Sequence, residues 1–111
     1  MPNKIDKIIN QFISEVSNLL GNRLKKIILF GSYARGDYDK NSDIDIMILT
    51  DFNENEIAKY RIKVREVACD IELDNDIIIS PMVRNIEQYN ERIDVIPFYT
   101  NVQKEGVVLR G

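Results

Sequence analysis

Apolar residues in the first part of the chain recur at intervals of three and four, the spacing that places them on one face of an α-helix. This spacing predicts a first helix that ends at Gly21, with an apolar stripe made of Ile5, Ile8, Ile9, Phe12, Ile13, Val16, Leu19 and Leu20. A short apolar run from Lys25 to Phe30 then stops at Gly31, which is typical of a buried strand. Acidic and apolar residues alternate at the start of the stretch from Asp43 to Thr50, which predicts a second strand.

The second half of the chain continues this alternation of helices and strands. The pattern predicts a helix from about Asn53 to about Ile71 and a third strand from Asp76 to Val83, in which Pro81 fits a sheet edge or a strand end. Further along, it predicts a short helix over 85–92, a last helix that begins at Pro97 and stops at Gly106, and a terminal strand over 107–109. In the last helix, Phe98, Tyr99 and Val102 are expected to pack inward. The fold class is therefore α/β (or α+β), a short mixed β-sheet flanked by helices in a single domain over residues 1–111.

Composition and charge exclude several classes of function. The chain has 15 basic and 18 acidic residues, a net charge of −3, so no basic excess attracts nucleic acid and direct nucleic-acid binding is not expected. It has no histidine, which excludes Ser-His-Asp and Cys-His catalysis within the chain. Its one cysteine, Cys69, cannot form an internal disulfide. With no long apolar run and no signal-peptide pattern, we expect a cytoplasmic protein without a membrane span.

The candidate chemistry lies where the first predicted strand ends and the second begins. Gly31 and Ser32 are followed, after ten residues, by Asp43 and Asp45. Alternate residues of a strand point to one face, so these two carboxylates project together while the isoleucines beside them point the other way. Paired carboxylates repel each other unless a cation lies between them, and they suit Mg²⁺, whose coordination substrate phosphates complete. A glycine lets the backbone approach a phosphate, and turn amides with a hydroxyl can hold its oxygens.

These residues together predict a site for a metal-bound nucleoside triphosphate. Two metal ions about 3.5–4 Å apart can stabilise both the attacking and the leaving oxygens of a nucleotidyl transfer. Such a site normally has a third carboxylate, which helps to deprotonate the acceptor hydroxyl. Asp76, just before an isoleucine run, is the best candidate for it, and Asp74 is the alternative.

The sequence Phe-Gly-Ser-Tyr-Ala-Arg-Gly-Asp at 30–37, followed by Ser-Asp-Ile-Asp-Ile at 42–46, resembles the minimal nucleotidyltransferases of the DNA polymerase β-like superfamily. The segment over 97–106 also resembles one often found in these proteins. The resemblance implies that Gly31 and Ser32 hold the triphosphate and that Arg35 accompanies the phosphate loop. It implies that the metal ligands and catalytic carboxylates are Asp43, Asp45 and Asp76.

The resemblance also implies an activity and a partner. Many such domains are encoded beside a helical protein of the HEPN class (higher-eukaryote and prokaryote nucleotide-binding), and some act as antitoxins that transfer AMP from ATP to a tyrosine of the toxin. We therefore expect a Mg²⁺-dependent transferase with ATP as nucleotide substrate and a HEPN-type partner.

Three questions stay open at this point. Arg35 could contact phosphate or form a surface ion pair with Asp37 or Asp39. The chain could instead be a non-catalytic partner-binding antitoxin with a vestigial nucleotide site. It could also modify a small molecule such as an antibiotic, which would need an acceptor pocket from a homo-oligomer or a second chain.

Overall fold

The computed structural model describes residues 3–111 of the chain. These residues fold around one four-stranded mixed sheet. Its strands are β1 (Leu24–Phe30), β2 (Ile44–Thr50), β3 (Ile79–Asn85) and β4 (Val107–Arg110), in the spatial order β3-β2-β1-β4. β1 pairs antiparallel with both β2 and β4, whereas β2 pairs parallel with β3. The predicted short mixed sheet is confirmed, and Pro81 does lie on an edge strand, where a missing amide hydrogen is tolerated.

Helices cover both faces of this sheet. α1 (Asn3–Leu20) and α3 (Glu54–Asn75) pack on one face, while α4 (Ile86–Arg92) and α5 (Pro97–Glu105) pack on the other. A single helical turn, α2 (Ser32–Arg35), follows β1 directly. This arrangement confirms the α+β class. In the described part of the chain, no helix has both the length and the apolar character needed to cross a membrane.

Alternate residues of strand β2 point toward the core and toward the candidate site. Ile44, Ile46 and Ile48 are fully buried against α1 and α3. Met47 lies on the opposite face, in the cluster formed with α4 and α5. Asp45 shares the face of Met47, because it is two residues away along the same strand. The prediction that the acidic residues and the isoleucines point to opposite sides is therefore confirmed for Asp45, whereas Asp43 lies just before the strand.

The boundary between α3 and β3 differs from the prediction. The helix does not end near Ile71 but continues to Asn75, and Asp76 closes it in the left-handed conformation (φ 50°), its amide donating to the Glu72 carbonyl at 3.2 Å. The strand begins only at Ile79, so the predicted start at Asp76 is wrong by three residues.

Contacts of α3 with the first residue of β3 explain this later start. The Glu72 carboxylate accepts the Ile79 amide at 2.8 Å, and Arg65 donates to the Ile79 carbonyl at 2.9 Å. Arg65 and Glu72 also form an ion pair with each other. This pair fixes both backbone groups of Ile79, and the strand ladder to β2 begins at that residue.

Candidate active site

The backbone of Gly31 lies very close to the Asp45 carboxylate. Its φ of 74° lies in the region that side chains disfavour, and a Cβ on it would overlap Asp45 Oδ2 and lie 3.2 Å from Asp45 Cγ. The Gly31 carbonyl accepts the amides of Ala34 and Arg35 at 3.1 and 3.0 Å, which starts α2. Only glycine allows this turn to begin directly against Asp45, and the turn places Ser32 beside that carboxylate.

The two carboxylates of the Asp-x-Asp pattern lie at the beginning of β2. Asp45 is paired with Phe30 on β1 and with Ser80 on β3, in the middle of the sheet. Asp43 lies just before the strand and accepts a hydrogen bond from Ser80 Oγ at 3.4 Å. Burial raises the pKa of the Asp45 carboxyl, and the Asp43 charge raises this pKa further, against a smaller opposing effect of Arg35. A cation at this place would remove the cost of holding Asp45 ionised.

A cavity of about 410 Å³, called here the Ser32 cavity, opens beside Asp45. It brings together four of the residues that the sequence predicted to belong to the site: Gly31, Ser32, Arg35 and Asp45. The rest of its lining is Phe30 and one side of α5, namely Phe98, Asn101, Val102 and Glu105. The predicted phosphate-binding residues and one predicted metal ligand therefore share a single concave site.

A second cavity, of about 660 Å³ and called here the Asp76 cavity, contains the two other predicted residues. Asp43 and Asp76 line it together with Lys40, Asn41, Ser42, Arg65, Cys69, Glu72, Ile77 and Ile78. Asp76 is exposed and lies in the connection before β3 rather than on the strand. The alternative residue, Asp74, is exposed and lines neither cavity.

The position next to Asp45 on β3 is occupied by a serine. Ser80 pairs with Asp45 in the parallel register, so the two side chains lie on the same face of adjacent strands. Within residues 3–111, no group of three His, Cys, Asp or Glu side chains is close enough to hold a metal ion. Two carboxylates are nevertheless a sufficient protein contribution for Mg²⁺, which usually completes its coordination with water and substrate phosphates. The residues present therefore fit a Mg²⁺ ion that arrives with a nucleotide.

Arg35 is held at the edge of the Ser32 cavity by two carboxylates. Its guanidinium donates to Asp37 and to Glu105, each at 3.2 Å, and these two partners raise its pKa. The ion pair with Asp37 is one of the two alternatives that the sequence leaves open for Arg35, and Glu105 is an additional partner contributed by α5. An exposed pair of this kind is weak, so an anionic ligand in the cavity can compete for Arg35.

Sequence reasoning missed the contribution of α5. It predicted that Phe98 packs inward, but this side chain is 41% exposed and lines the Ser32 cavity, whereas Val102 is buried as expected. No motif in the sequence marks Asn101 or Glu105 as a site residue, although both line this cavity. The available signal was their spacing, because residues 98, 101, 102 and 105 recur at three and four and so lie on one side of a helix.

The fold and this site define a small α+β domain with a carboxylate pair beside a Gly-Ser turn. Comparison with known proteins gives the family: the profile of the nucleotidyltransferase domain matches residues 9–105. The chain belongs to the nucleotidyltransferase domain family, which confirms the resemblance noted in its sequence and its assignment as a nucleotidyltransferase.

Two proteins of Methanocaldococcus jannaschii, both named "putative protein adenylyltransferase", are similar to this chain. One is 42% identical over 80 residues, 72% of this chain and 79% of the relative. The other is 36% identical over 104 residues, 94% of this chain and 96% of the relative.

Solved structures share the fold at low sequence identity. A crystal structure of a "putative nucleotidyltransferase" from Sulfolobus solfataricus is 22% identical to this chain and has a TM-score of 0.56. The match covers 97% of this chain and 86% of that one. A toxin–antitoxin crystallised with AMP-PNP is 23% identical with a TM-score of 0.57, covering 99% of this chain and 74% of that one.

Proposed function

We propose that this chain transfers AMP from ATP, with Mg²⁺, to a hydroxyl group of a partner protein. The observation that carries this proposal is the Ser32 cavity, in which a half-buried carboxylate, Asp45, lies against the Gly31–Ser32 turn with Arg35 at the edge. The names of the Methanocaldococcus relatives support a protein as the acceptor. The structural neighbour crystallised with AMP-PNP supports an adenine nucleotide.

The turn after β1 is the proposed triphosphate contact. Gly31 allows close approach of the backbone, and the Ser32 amide and hydroxyl offer donors to phosphate oxygens. Arg35 exchanges a carboxylate partner for a phosphate when the nucleotide enters. Asp43 and Asp45 would hold Mg²⁺, with a second ion expected for a nucleotidyl transfer, and the bound metal would neutralise charge on the phosphoryl oxygens.

The reaction forms one bond and breaks another at the α-phosphorus. The acceptor oxygen attacks, the bond to the oxygen that bridges the α- and β-phosphates breaks, and pyrophosphate leaves. The acceptor proton goes to a carboxylate, and Asp76 is the proposed base because it lines a cavity together with Asp43. In this scheme the nucleotide enters from the Ser32 cavity and the acceptor hydroxyl from the Asp76 cavity.

The proposed acceptor is a tyrosine of a HEPN-type toxin, with this chain acting as its antitoxin. Support comes from the family resemblance of the sequence and from the structural neighbour that is part of a toxin–antitoxin. The test is incubation with Mg²⁺, ATP labelled at the α-phosphate and the co-purified partner. We expect label on the partner with the wild type and none with the Asp43→Asn/Asp45→Asn variant.

Two other results would replace this proposal. If the wild type and the Asp43→Asn/Asp45→Asn variant both neutralise the partner without labelling it, the chain acts as a binding module with a vestigial nucleotide site. If the isolated chain labels a small hydroxyl compound such as an aminoglycoside and leaves the partner unlabelled, the acceptor is a small molecule.

Asp76→Asn tests the proposed base. Asparagine also tolerates the left-handed conformation of this residue, so the helix end is expected to remain intact. We expect the rate of AMP transfer to fall about 100-fold or more, the usual contribution of a general base, with MgATP affinity unchanged. Asp74→Asn is the matched control and should transfer AMP at the wild-type rate. A variant Asp76→Asn with full activity would remove this residue from the mechanism.

Glu105→Gln tests whether the ion pair restrains Arg35. The substitution frees the guanidinium from one of its two partners and removes a negative charge from the lining of the Ser32 cavity. We expect MgATP to bind about two- to fivefold more tightly, as the strength of an exposed ion pair allows. Isothermal titration of MgATP measures the effect, with Arg35→Ala as the opposite variant, expected to weaken binding. Unchanged or weaker binding by Glu105→Gln would show that Glu105 does not compete with the nucleotide.

A further inference from the structure

The α5 helix forms the side of the Ser32 cavity that is not explained by phosphate or metal binding. Phe98, Asn101 and Val102 line the same cavity as Ser32 and Asp45. The volume, about 410 Å³, lies within the range of cavities that bind small molecules and cofactors. A ligand that places its phosphates on the Gly31–Ser32 turn can therefore extend its remaining part toward α5 within the same cavity.

Phe98 presents an aromatic surface to this cavity. The side chain is 41% exposed although it is large and apolar, and its position in the cavity accounts for that exposure. Phe30 contacts it edge to face, with ring centroids 5.6 Å apart and an interplanar angle of 79°. Tyr99 packs beside it at 5.7 Å. Two aromatic neighbours thus hold the Phe98 ring while it remains accessible to a planar ligand.

Asn101 adds a polar group one helical turn away from Phe98. Residues three apart on a helix lie on the same side, and both line the cavity. A carboxamide carries one acceptor and one donor group, which match the N6 amino group and N7 of adenine. Guanine presents two acceptors, O6 and N7, at the same edge and matches a carboxamide less well.

We propose that Phe98 and Asn101 form the nucleobase subsite, in which Phe98 stacks on the purine ring and Asn101 selects adenine over guanine. The inference rests on the proposed function, because the triphosphate must lie at the Gly31–Ser32 turn for the base to reach α5. It assigns the nucleotide preference of the enzyme to residues more than fifty positions away from the metal-binding pattern.

Binding of three ligands tests the subsite: MgATP, MgGTP and magnesium tripolyphosphate, which has no base. Phe98→Ala should weaken MgATP and MgGTP binding about tenfold, as expected for the loss of one stacked base, and leave tripolyphosphate binding unchanged. Phe98→Tyr keeps the ring and should retain wild-type affinity. Asn101→Ala should lower the preference for MgATP over MgGTP about tenfold. Lys104→Ala, an exposed residue of α5 outside the cavity lining, is the control and should change nothing.

Each other outcome contradicts a different claim. If the wild type binds tripolyphosphate as tightly as MgATP, or if Phe98→Ala weakens all three ligands equally, the nucleobase subsite is wrong while triphosphate binding stands. If Asn101→Ala leaves the ratio of the MgATP and MgGTP affinities unchanged, Asn101 does not select the base. If the wild type binds none of the three ligands, both the subsite and the proposed function fail.

Discussion

Replacing Asp43 or Asp45 by asparagine is expected to lower the rate of AMP transfer at least about 1,000-fold, a loss of about 4 kcal/mol of transition-state stabilisation. Each substitution removes one of the two carboxylates that would hold Mg²⁺, and a bound metal contributes several kcal/mol to stabilising charge on a phosphoryl group. The measurement is the initial rate of label transfer from α-labelled ATP to the partner at saturating Mg²⁺. A residual rate within tenfold of the wild type would contradict the assignment of the site.

Stability separates a damaged site from a damaged fold in these variants. Asp45 is half-buried, and both burial and the neighbouring Asp43 raise its pKa, so its charge is unfavourable in the metal-free protein. We therefore expect the asparagine variants to unfold at the same temperature as the wild type or at a higher one. Asp94→Asn, an exposed residue in the connection before α5, is the control for both activity and stability. A lower melting temperature would attribute the loss of activity to misfolding.

The second large effect is expected from Gly31→Ala. The new Cβ would overlap Asp45 Oδ2, and the backbone conformation, φ 74° and ψ −156°, costs a non-glycine residue about 1–3 kcal/mol. To relieve the overlap, either Asp45 or the turn that carries Ser32 must move. We expect AMP transfer to fall about 100-fold, because displacement of a catalytic group by about 1 Å has an effect of this size. We also expect a loss of about 1–3 kcal/mol in the free energy of unfolding, measured by urea denaturation.

Gly21→Ala distinguishes backbone strain from the overlap with Asp45. Gly21 also has a positive φ, 57°, but an added Cβ there would have no atom within 4 Å. This variant should lose stability through strain alone and keep full transfer activity. If Gly31→Ala keeps full activity, or if Gly21→Ala loses as much activity as Gly31→Ala does, the close approach of Gly31 to Asp45 is not what positions the site.

The part of the site that lies within one short stretch of sequence could be predicted. Strand β2 follows a strict two-residue alternation, so the sequence alone placed Asp45 opposite the buried isoleucines. Gly31 was predicted to let the backbone approach a phosphate, whereas the close approach that the structure shows is to the Asp45 carboxylate of the neighbouring strand. Local periodicity determines the orientation of Asp45, and no distant contact is needed to know it.

The start of β3 and the contribution of α5 depend on tertiary contacts. Asp76 precedes three isoleucines, which favoured a strand, but the Arg65–Glu72 pair fixes the strand start at Ile79. Phe98 has the spacing of a core residue with respect to Val102, and only the position of α5 over the Ser32 cavity leaves it exposed. The contacts of Arg65 and Glu72 with Ile79 join different elements, and the spacing of residues on α5 fits a core face as well as a cavity wall, so local sequence does not decide either feature.

The central claim is that one site, formed by Gly31, Ser32, Asp43 and Asp45, binds a metal-bound nucleoside triphosphate. Isothermal titration of ATP into the wild type and into the Asp43→Asn/Asp45→Asn variant, each with and without Mg²⁺, tests this claim most directly. We predict binding of one ATP per chain by the wild type with Mg²⁺, and a loss of affinity of at least tenfold, about 1.4 kcal/mol, when either the metal or the two carboxylates are removed. Equal ATP affinity in all four experiments would contradict the account.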